Sequence, residues 1–222
     1  HVFDFEKKEY KLIRSSGKFT LRSPIGIALA DDGTLYVSDS ELREVLVFDA
    51  DEQYQFSISK GLRRPTGLLL EDGVLYVVDT EAHQVIVFDT HGRELRRFGK
   101  RGFHDAEFNY PVYLCSNGTA AHDEDKTLFI VDAMNFRLQQ LRKDGSFVSQ
   151  FGKLGDGIGD FARPKGVAID GDGHLYLPDG LYDVIQVFDQ HGQLLMAFGG
   201  SGTGFGGFSM PAGIAIDGQD RI

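Results

Sequence analysis

Arg64-Pro65-Thr66-Gly67-Leu68-Leu69-Leu70, then Asp72-Gly73-Val74-Leu75-Tyr76-Val77-Val78-Asp79, then Val85-Ile86-Val87-Phe88-Asp89, His91-Gly92 and Arg97-Phe98-Gly99 form one unit of sequence. The same order recurs from Pro24, Pro111 and Pro164 and begins again at Pro211. Those prolines stand 41, 46, 53 and 47 residues apart. A period of about 40–50 residues, made of short apolar runs split by Gly and Asp turns, is the signature of a propeller blade.

Each unit holds four runs of strand size. The first follows Pro-x-Gly, as in Gly166-Val167-Ala168-Ile169. The second is of the type Leu35-Tyr36-Val37-Ser38, the third Ile185-Gln186-Val187-Phe188, the fourth Leu194-Leu195-Met196-Ala197-Phe198. Val, Ile, Tyr and Phe dominate, as half-buried strands require, and no run is long enough for a globular helix. Asp32-Gly33, Asp72-Gly73, Asp144-Gly145 and Asp172-Gly173 are hairpin dipeptides, because Gly accepts positive φ and Asp tolerates it. His91-Gly92 and His191-Gly192 fill the same slot between third and fourth runs. Adjacent strands joined this way give one four-stranded antiparallel sheet per unit, and sheets set radially leave only short edges. The Pro-x-Gly strands should line the central channel.

The recurring residues read as scaffold. Asp39, Asp79, Asp132 and Asp179 end the second strand. A ring of carboxylates for a cation is one reading. The simpler one is a turn in which each carboxylate accepts backbone N–H groups. Leu21, Leu62, Phe108, Phe161 and Phe208 stand three residues before each anchor proline and are expected to wedge between sheets.

These motifs together (Pro-x-Gly-[Ile/Val]-Ala-[Leu/Ile], Asp-Gly-x-Leu-Tyr-Val-x-Asp, Val-x-Val-Phe-Asp-x-x-Gly and Phe-Gly) resemble the NHL-repeat family, over residues 19–222. The resemblance implies an all-β propeller of the bacterial, six-bladed style. The family's Asn-x-Arg after the strand-two Asp occurs once, as Asn135-Phe136-Arg137, and His83 fills the neighbouring slot once. The expected division is repeat 1 at 19–61, repeat 2 at 62–102, repeat 3 at 103–156, repeat 4 at 157–202 and the start of repeat 5 at 203–222. Residues 1–18 are expected to form the outer strands of a partial blade, so that the chain is a segment of a six-bladed ring.

Composition narrows the function classes. Net charge is −10, and nucleic-acid binders carry a basic footprint, so no nucleic acid is expected. The basic residues Arg96, Arg97, Lys100 and Arg101 cluster, but Arg96 and Arg97 fall on an outermost strand, where charge blunts an edge. No run approaches the ~18 apolar residues of a membrane span. The single Cys115 excludes an internal disulfide and reads as a small buried hydrophobe. The chain starts at His1, which suits either a mature secreted form or a partial chain; a periplasmic or extracellular location is favoured.

Metal, cofactor and catalytic motifs fail on inspection. Some propellers of this kind are zinc lyases, but zinc catalysis needs about three converging ligands, and His91, His174 and His191 occupy hairpins. Asp170-Gly171-Asp172-Gly173 opens like a calcium loop but continues with His174-Leu175. Gly199–Gly204 lacks the Lys-Ser/Thr of a phosphate loop. No catalytic residue, metal site or cofactor is assigned.

The expected function is a non-enzymatic scaffold for protein–protein interaction or assembly. The alternatives are a ligand- or glycan-binding sensory domain, or a propeller-type hydrolase or lyase. The strand-two-to-three loops and the blade-connecting loops should share one face, and on it His83, His104, Phe136, Arg137 and Tyr182 are the candidate binding residues. Replacing Arg137 and Tyr182 is expected to weaken partner capture without lowering thermal stability. The third unit carries an enlarged connection, Ser116–Lys126. It reads either as drift in a solvated loop or as a recognition surface.

Overall fold

The computed structural model describes residues 2–4, 8–11, 20–118 and 126–222. Among them the fold is all-β. Four antiparallel sheets of four strands follow one another along the chain, each in sequence order. The first comprises β3 (Pro24–Leu29), β4 (Leu35–Asp39), β5 (Glu44–Phe48) and β6 (Tyr54–Ile58). The second comprises β7 (Pro65–Glu71), β8 (Val74–Asp79), β9 (Gln84–Asp89) and β10 (Glu94–Phe98). The third comprises β11 (Pro111–Ser116), β12 (Thr127–Asp132), β13 (Arg137–Arg142) and β14 (Phe147–Phe151). The fourth comprises β15 (Ala168–Ile169), β16 (Leu175–Asp179), β17 (Val184–Phe188) and β18 (Leu194–Gly199). Ahead of them, β1 (Val2–Asp4) pairs antiparallel with β2 (Glu9–Lys11). The helical content of the described residues is one 3-10 turn, Ala133–Asn135.

Why the second and third strands read as continuous apolar runs is visible in the core. The second and third sheets are covered on both faces by their neighbours, so both sets of alternating side chains are buried. Leu75, Val77, Ile86 and Phe88 pack toward the first sheet, with Val45, Val47 and Ile58. Tyr76, Val78, Val85 and Val87 point the other way, into a cluster with Leu114, Leu128, Ile130 and Leu141 of the third sheet. Phe129, Val131 and Leu138 in turn meet Leu175, Leu177 and Phe188 of the fourth. Burial of each such side chain stabilises the fold by about 1.5–3 kcal/mol.

The wedge residues sit at these seams. Leu62, Phe108 and Phe161 are each buried in the cluster between two sheets. Every wedge phenylalanine meets the glycine that ends the preceding Phe-Gly. A Cβ on Gly99 would lie 2.5 Å from the Phe108 ring, and one on Gly152 2.4 Å from Phe161. Both glycines have positive φ, +88° and +99°, so the outgoing chain turns over the incoming ring in a conformation that side chains resist. The enclosed loop is cinched at its neck: Phe108 donates its N–H to the Lys100 carbonyl at 2.8 Å, and Phe161 does the same to Lys153 at 2.9 Å.

The Pro-x-Gly strands of successive sheets are neighbours, β3 beside β7 and β7 beside β11, and they line the channel. Their glycine is the point of closest approach: a Cβ on Gly67 would stand 2.7 Å from the Cα of Tyr113. A buried hydroxyl ties two of these strands together. Ser38 Oγ accepts the Gly26 N–H at 2.8 Å and donates to the Thr66 carbonyl at 2.6 Å. Residues 211–216, where a fifth first strand is expected, carry no ladder pairing with the described residues. They run beside the fourth sheet, with the Ala212 carbonyl and Ile214 against Gly166.

Candidate functional site

The four strand-end aspartates are latches. Asp39 accepts N–H groups of Arg22 (2.7 Å), Ser23 (3.1 Å), Glu41 (3.1 Å) and Leu42 (3.0 Å). Asp79 accepts those of Arg63, Arg64 and Ala82, and Asp179 those of Ala162, Arg163 and Leu181. The turn reading is therefore correct, and its reach is longer than a turn: the carboxylates of Asp39, Asp79 and Asp179 also hold the loop entering their own first strand, 15–17 residues upstream. Asp132 extends the pattern with side chains, taking Asn109 N–H at 2.6 Å, Asn135 Nδ2 at 2.8 Å and Arg137 Nε at 2.8 Å.

Arg137 is built into this latch. It is 8% exposed. Its Nη1 donates to the Phe103 carbonyl (2.9 Å) and to Gln150 Oε1. Its Nη2 donates to the carbonyls of His104 (3.0 Å) and Glu107 (2.9 Å). With Nε on Asp132, all five N–H donors of the guanidinium are engaged. The expectation that Arg137 can be removed without loss of stability is corrected by this burial. His104, Phe136 and Arg137 are brought together around one loop. The exposed His104 ring stacks on Phe103 at 4.2 Å, and Phe136 adopts a left-handed φ of 54° and packs into the seam between third and fourth sheets.

His83 and Tyr182 lie at the neighbouring blade junctions. His83 has φ 57° and is buried; its Nδ1 accepts the Tyr110 N–H at 3.1 Å. Burial, then the charge of Arg101, holds its imidazole below the ordinary value. Asp183 occupies the same place two junctions on, accepting the Met210 N–H at 2.6 Å. Tyr182 is partly exposed and donates its hydroxyl to the Gly155 carbonyl at 3.1 Å. Cys115 is half-buried against the third–fourth seam, and desolvation pushes its thiol up.

The loops of this face expose apolar side chains: Phe103 (71%), Leu154, Ile158 (78%), Leu181, Tyr182 and Phe205. All stand on blade-connecting or strand-two-to-three loops. The opposite face carries the Asp-Gly and His-Gly hairpins, whose own turn residues supply none of these. Residues 119–125 of the enlarged connection, including Asp123–Asp125, lie outside the described residues; what is described of it is its neck, where Asn117 Oδ1 accepts the Thr127 N–H at 2.6 Å.

At the centre of the same face, the channel mouth opens as a cavity of about 600 Å³. Arg64, Arg163 and Lys165 line it, with Val112, Tyr113 and Met134. None of the three cations forms an ion pair with a described residue. Burial, then the like charges of Arg163 and Arg64, holds the Lys165 ammonium below its ordinary value. The other end of the channel is acidic, with Glu71, Asp170, Asp217 and Asp220 lining a second cavity. Among the described residues no cluster of three or more His, Cys, Asp or Glu is arranged to hold a metal ion.

The channel cations are absent from the candidates drawn from sequence. The signal was their register: Arg64 and Arg163 immediately precede an anchor proline, and Lys165 immediately follows one.

No family model matches the chain. Over 79 residues it is 37% identical to the RING finger protein nhl-1 of Caenorhabditis elegans; this stretch is 35% of the chain and 7% of that protein. Among solved structures, virginiamycin B lyase from Staphylococcus aureus superposes with a TM-score of 0.65 at 14% identity, over 89% of this chain and 61% of the lyase chain. A chain of the nidogen/laminin complex superposes with a TM-score of 0.65 at 16% identity, over 88% of this chain and 69% of its own. Likeness at these identities is likeness of fold.

Proposed function

We propose that this chain, an NHL-like β-propeller, is a protein-interaction scaffold whose partner docks on the loop face. One observation carries the reading: the large apolar side chains exposed on loops, Phe103, Leu154, Ile158, Leu181, Tyr182 and Phe205, fall on the face shared by the blade-connecting and strand-two-to-three loops. Exposed apolar groups gathered on one face and rimmed by polar residues mark interaction sites. Loops held by a rigid scaffold are where such sites concentrate.

Within the candidate set, the roles divide. His104 and Tyr182 present surface to a partner. Arg137, Phe136 and His83 shape the loops from beneath. The nidogen/laminin complex supplies a precedent for a propeller of similar fold within a protein assembly. The lyase likeness, at 14% identity, supports no transfer of activity.

The test is photo-crosslinking in the full chain. A crosslinking residue at Phe103, Ile158 or Tyr182 should capture the same protein, and one at His91 or His191, on the hairpin face, should not. Capture from the hairpin positions with silence from the loops defeats the reading.

A further inference from the structure

The charge on the channel mouth runs against that of the chain. The protein carries a net −10, yet three cations converge on one cavity with no carboxylate in its lining. Arg64 comes from the entry of the second blade, Arg163 and Lys165 from the entry of the fourth. None is neutralised by a described partner, and they are close enough for the two guanidinium charges and burial to depress the ammonium of Lys165. Structural cations are normally spent on carboxylates, as Arg137 is on Asp132 at 2.8 Å. Held together without one, they repel each other, and an incoming anion relieves that repulsion.

The rest of the wall is of a different character. Val112, Tyr113 and Met134 offer apolar and aromatic surface. A concave site of about 300–1,000 Å³, mostly apolar with a few convergent polar groups, is the form of a small-molecule site. At the far mouth Glu71 is paired with Lys143 and Asp217 with Arg221, which leaves Asp170 and Asp220 to repel an anion from that end while the basic end draws it.

We propose that the basic mouth binds a small organic oxyanion, with a carboxylate or phosphate head held by Arg64, Arg163 and Lys165 and an apolar body laid against Val112, Tyr113 and Met134. Guanidinium forks match both head groups in bidentate geometry. The site is independent of the loop-face reading: it needs the channel wall, not the exposed loop tips.

Isothermal titration of the full chain with three matched probes tests it: biphenyl-4-carboxylate, biphenyl-4-yl phosphate and biphenyl-4-methanol. At least one anion should bind at least tenfold more tightly than the alcohol, and the tighter of the two identifies the head group. The double variant Arg163→Gln/Lys165→Gln should lose at least tenfold for that anion while keeping its thermal midpoint, since neither side chain is tied into the described fold. Should that variant misfold, Arg64→Gln alone should still weaken the anion severalfold. Equal binding of all three probes, no binding of either anion at millimolar concentration, or unchanged affinity in the folded variants would overturn the proposal.

Discussion

His83 accepts the backbone N–H of Tyr110 through Nδ1 at 3.1 Å, and the two rings meet edge to face with centroids 4.7 Å apart. An acceptor at Nδ1 requires the neutral tautomer with its proton on Nε2. One strand-entry residue of the third blade is thus fixed by an imidazole of the second.

This contact makes the second–third junction sensitive to acid. The folded His83 titrates below its ordinary 6.5 because it is buried. The unfolded chain therefore takes up a proton first, so this group's contribution is present above pH 6.5 and is lost as pH falls from there toward the folded value. His83→Asn keeps an acceptor and tolerates the positive φ, as Asp183 does at the fourth–fifth junction. Thermal melts from pH 7.5 to 5 should show a shallower acid-side decline for the variant, with similar midpoints at pH 7.5. Parallel pH profiles would refute the assignment.

Arg137→Ala should lower stability by about 3–5 kcal/mol, the usual result of removing one partner of a buried pair. The variant strands Asp132, which is fully buried, and frees three carbonyls that the guanidinium held. Urea unfolding measures it. A loss below 1 kcal/mol would mean that water replaces the guanidinium without penalty.

Gly99 and Phe108 should be energetically coupled. Phe108→Ala empties a seam and should cost about 3–5 kcal/mol. Gly99→Ala suffers both from positive φ, worth about 1–2 kcal/mol, and from overlap with the ring. In the double variant the overlap is gone, so the loss should fall short of the sum of the singles by about 0.5–3 kcal/mol. Strict additivity in chemical denaturation would show that the ring does not dictate the glycine.

Ser38→Ala should cost about 1–3 kcal/mol, because the buried Gly26 N–H and Thr66 carbonyl both lose their hydroxyl partner. Hydrogen exchange at Gly26 should accelerate with it. Unaltered exchange at that amide would argue that the ladder around β3 does not depend on the hydroxyl.

The blade pattern was legible in the sequence because every part of it is local. The strand-ending aspartates recur in the same order after Pro24, Pro65, Pro111 and Pro164, the Phe-Gly pairs close the second, third and fourth units, and the sheets follow them. What was not legible depends on contacts between units. Arg137 reads as an exposed loop cation beside Asn135, and only the fold brings the carbonyls of Phe103, His104 and Glu107 around it. Arg64 and Lys165 are about a hundred residues apart in sequence and share a cavity. That each flanks an anchor proline was readable; that both positions face the channel follows only from the ring-like succession of sheets.

The glycine under each wedge phenylalanine has a consequence for how such a chain can be rebuilt. A sheet on its own, β7 to β10, is not the portable part, because it ends in a Phe-Gly shaped by a ring that belongs to the next sheet. The self-consistent cassette runs from one wedge to just before the following one, Leu62 to Glu107, and it carries a socket at its tail for whatever wedge comes after. Cassettes joined at those points preserve every glycine–ring fit, whereas joins between the Phe-Gly and the wedge require both halves to be matched anew. A gene that grows or shrinks by whole Phe-Gly cassettes keeps its seams intact: the prolines stand 41, 46, 53 and 47 residues apart, yet Phe108, Phe161 and Phe208 each follow their glycine, Gly99, Gly152 and Gly199, at the same distance, while the first unit ends in Ile58-Ser59 and meets Leu62 without that socket.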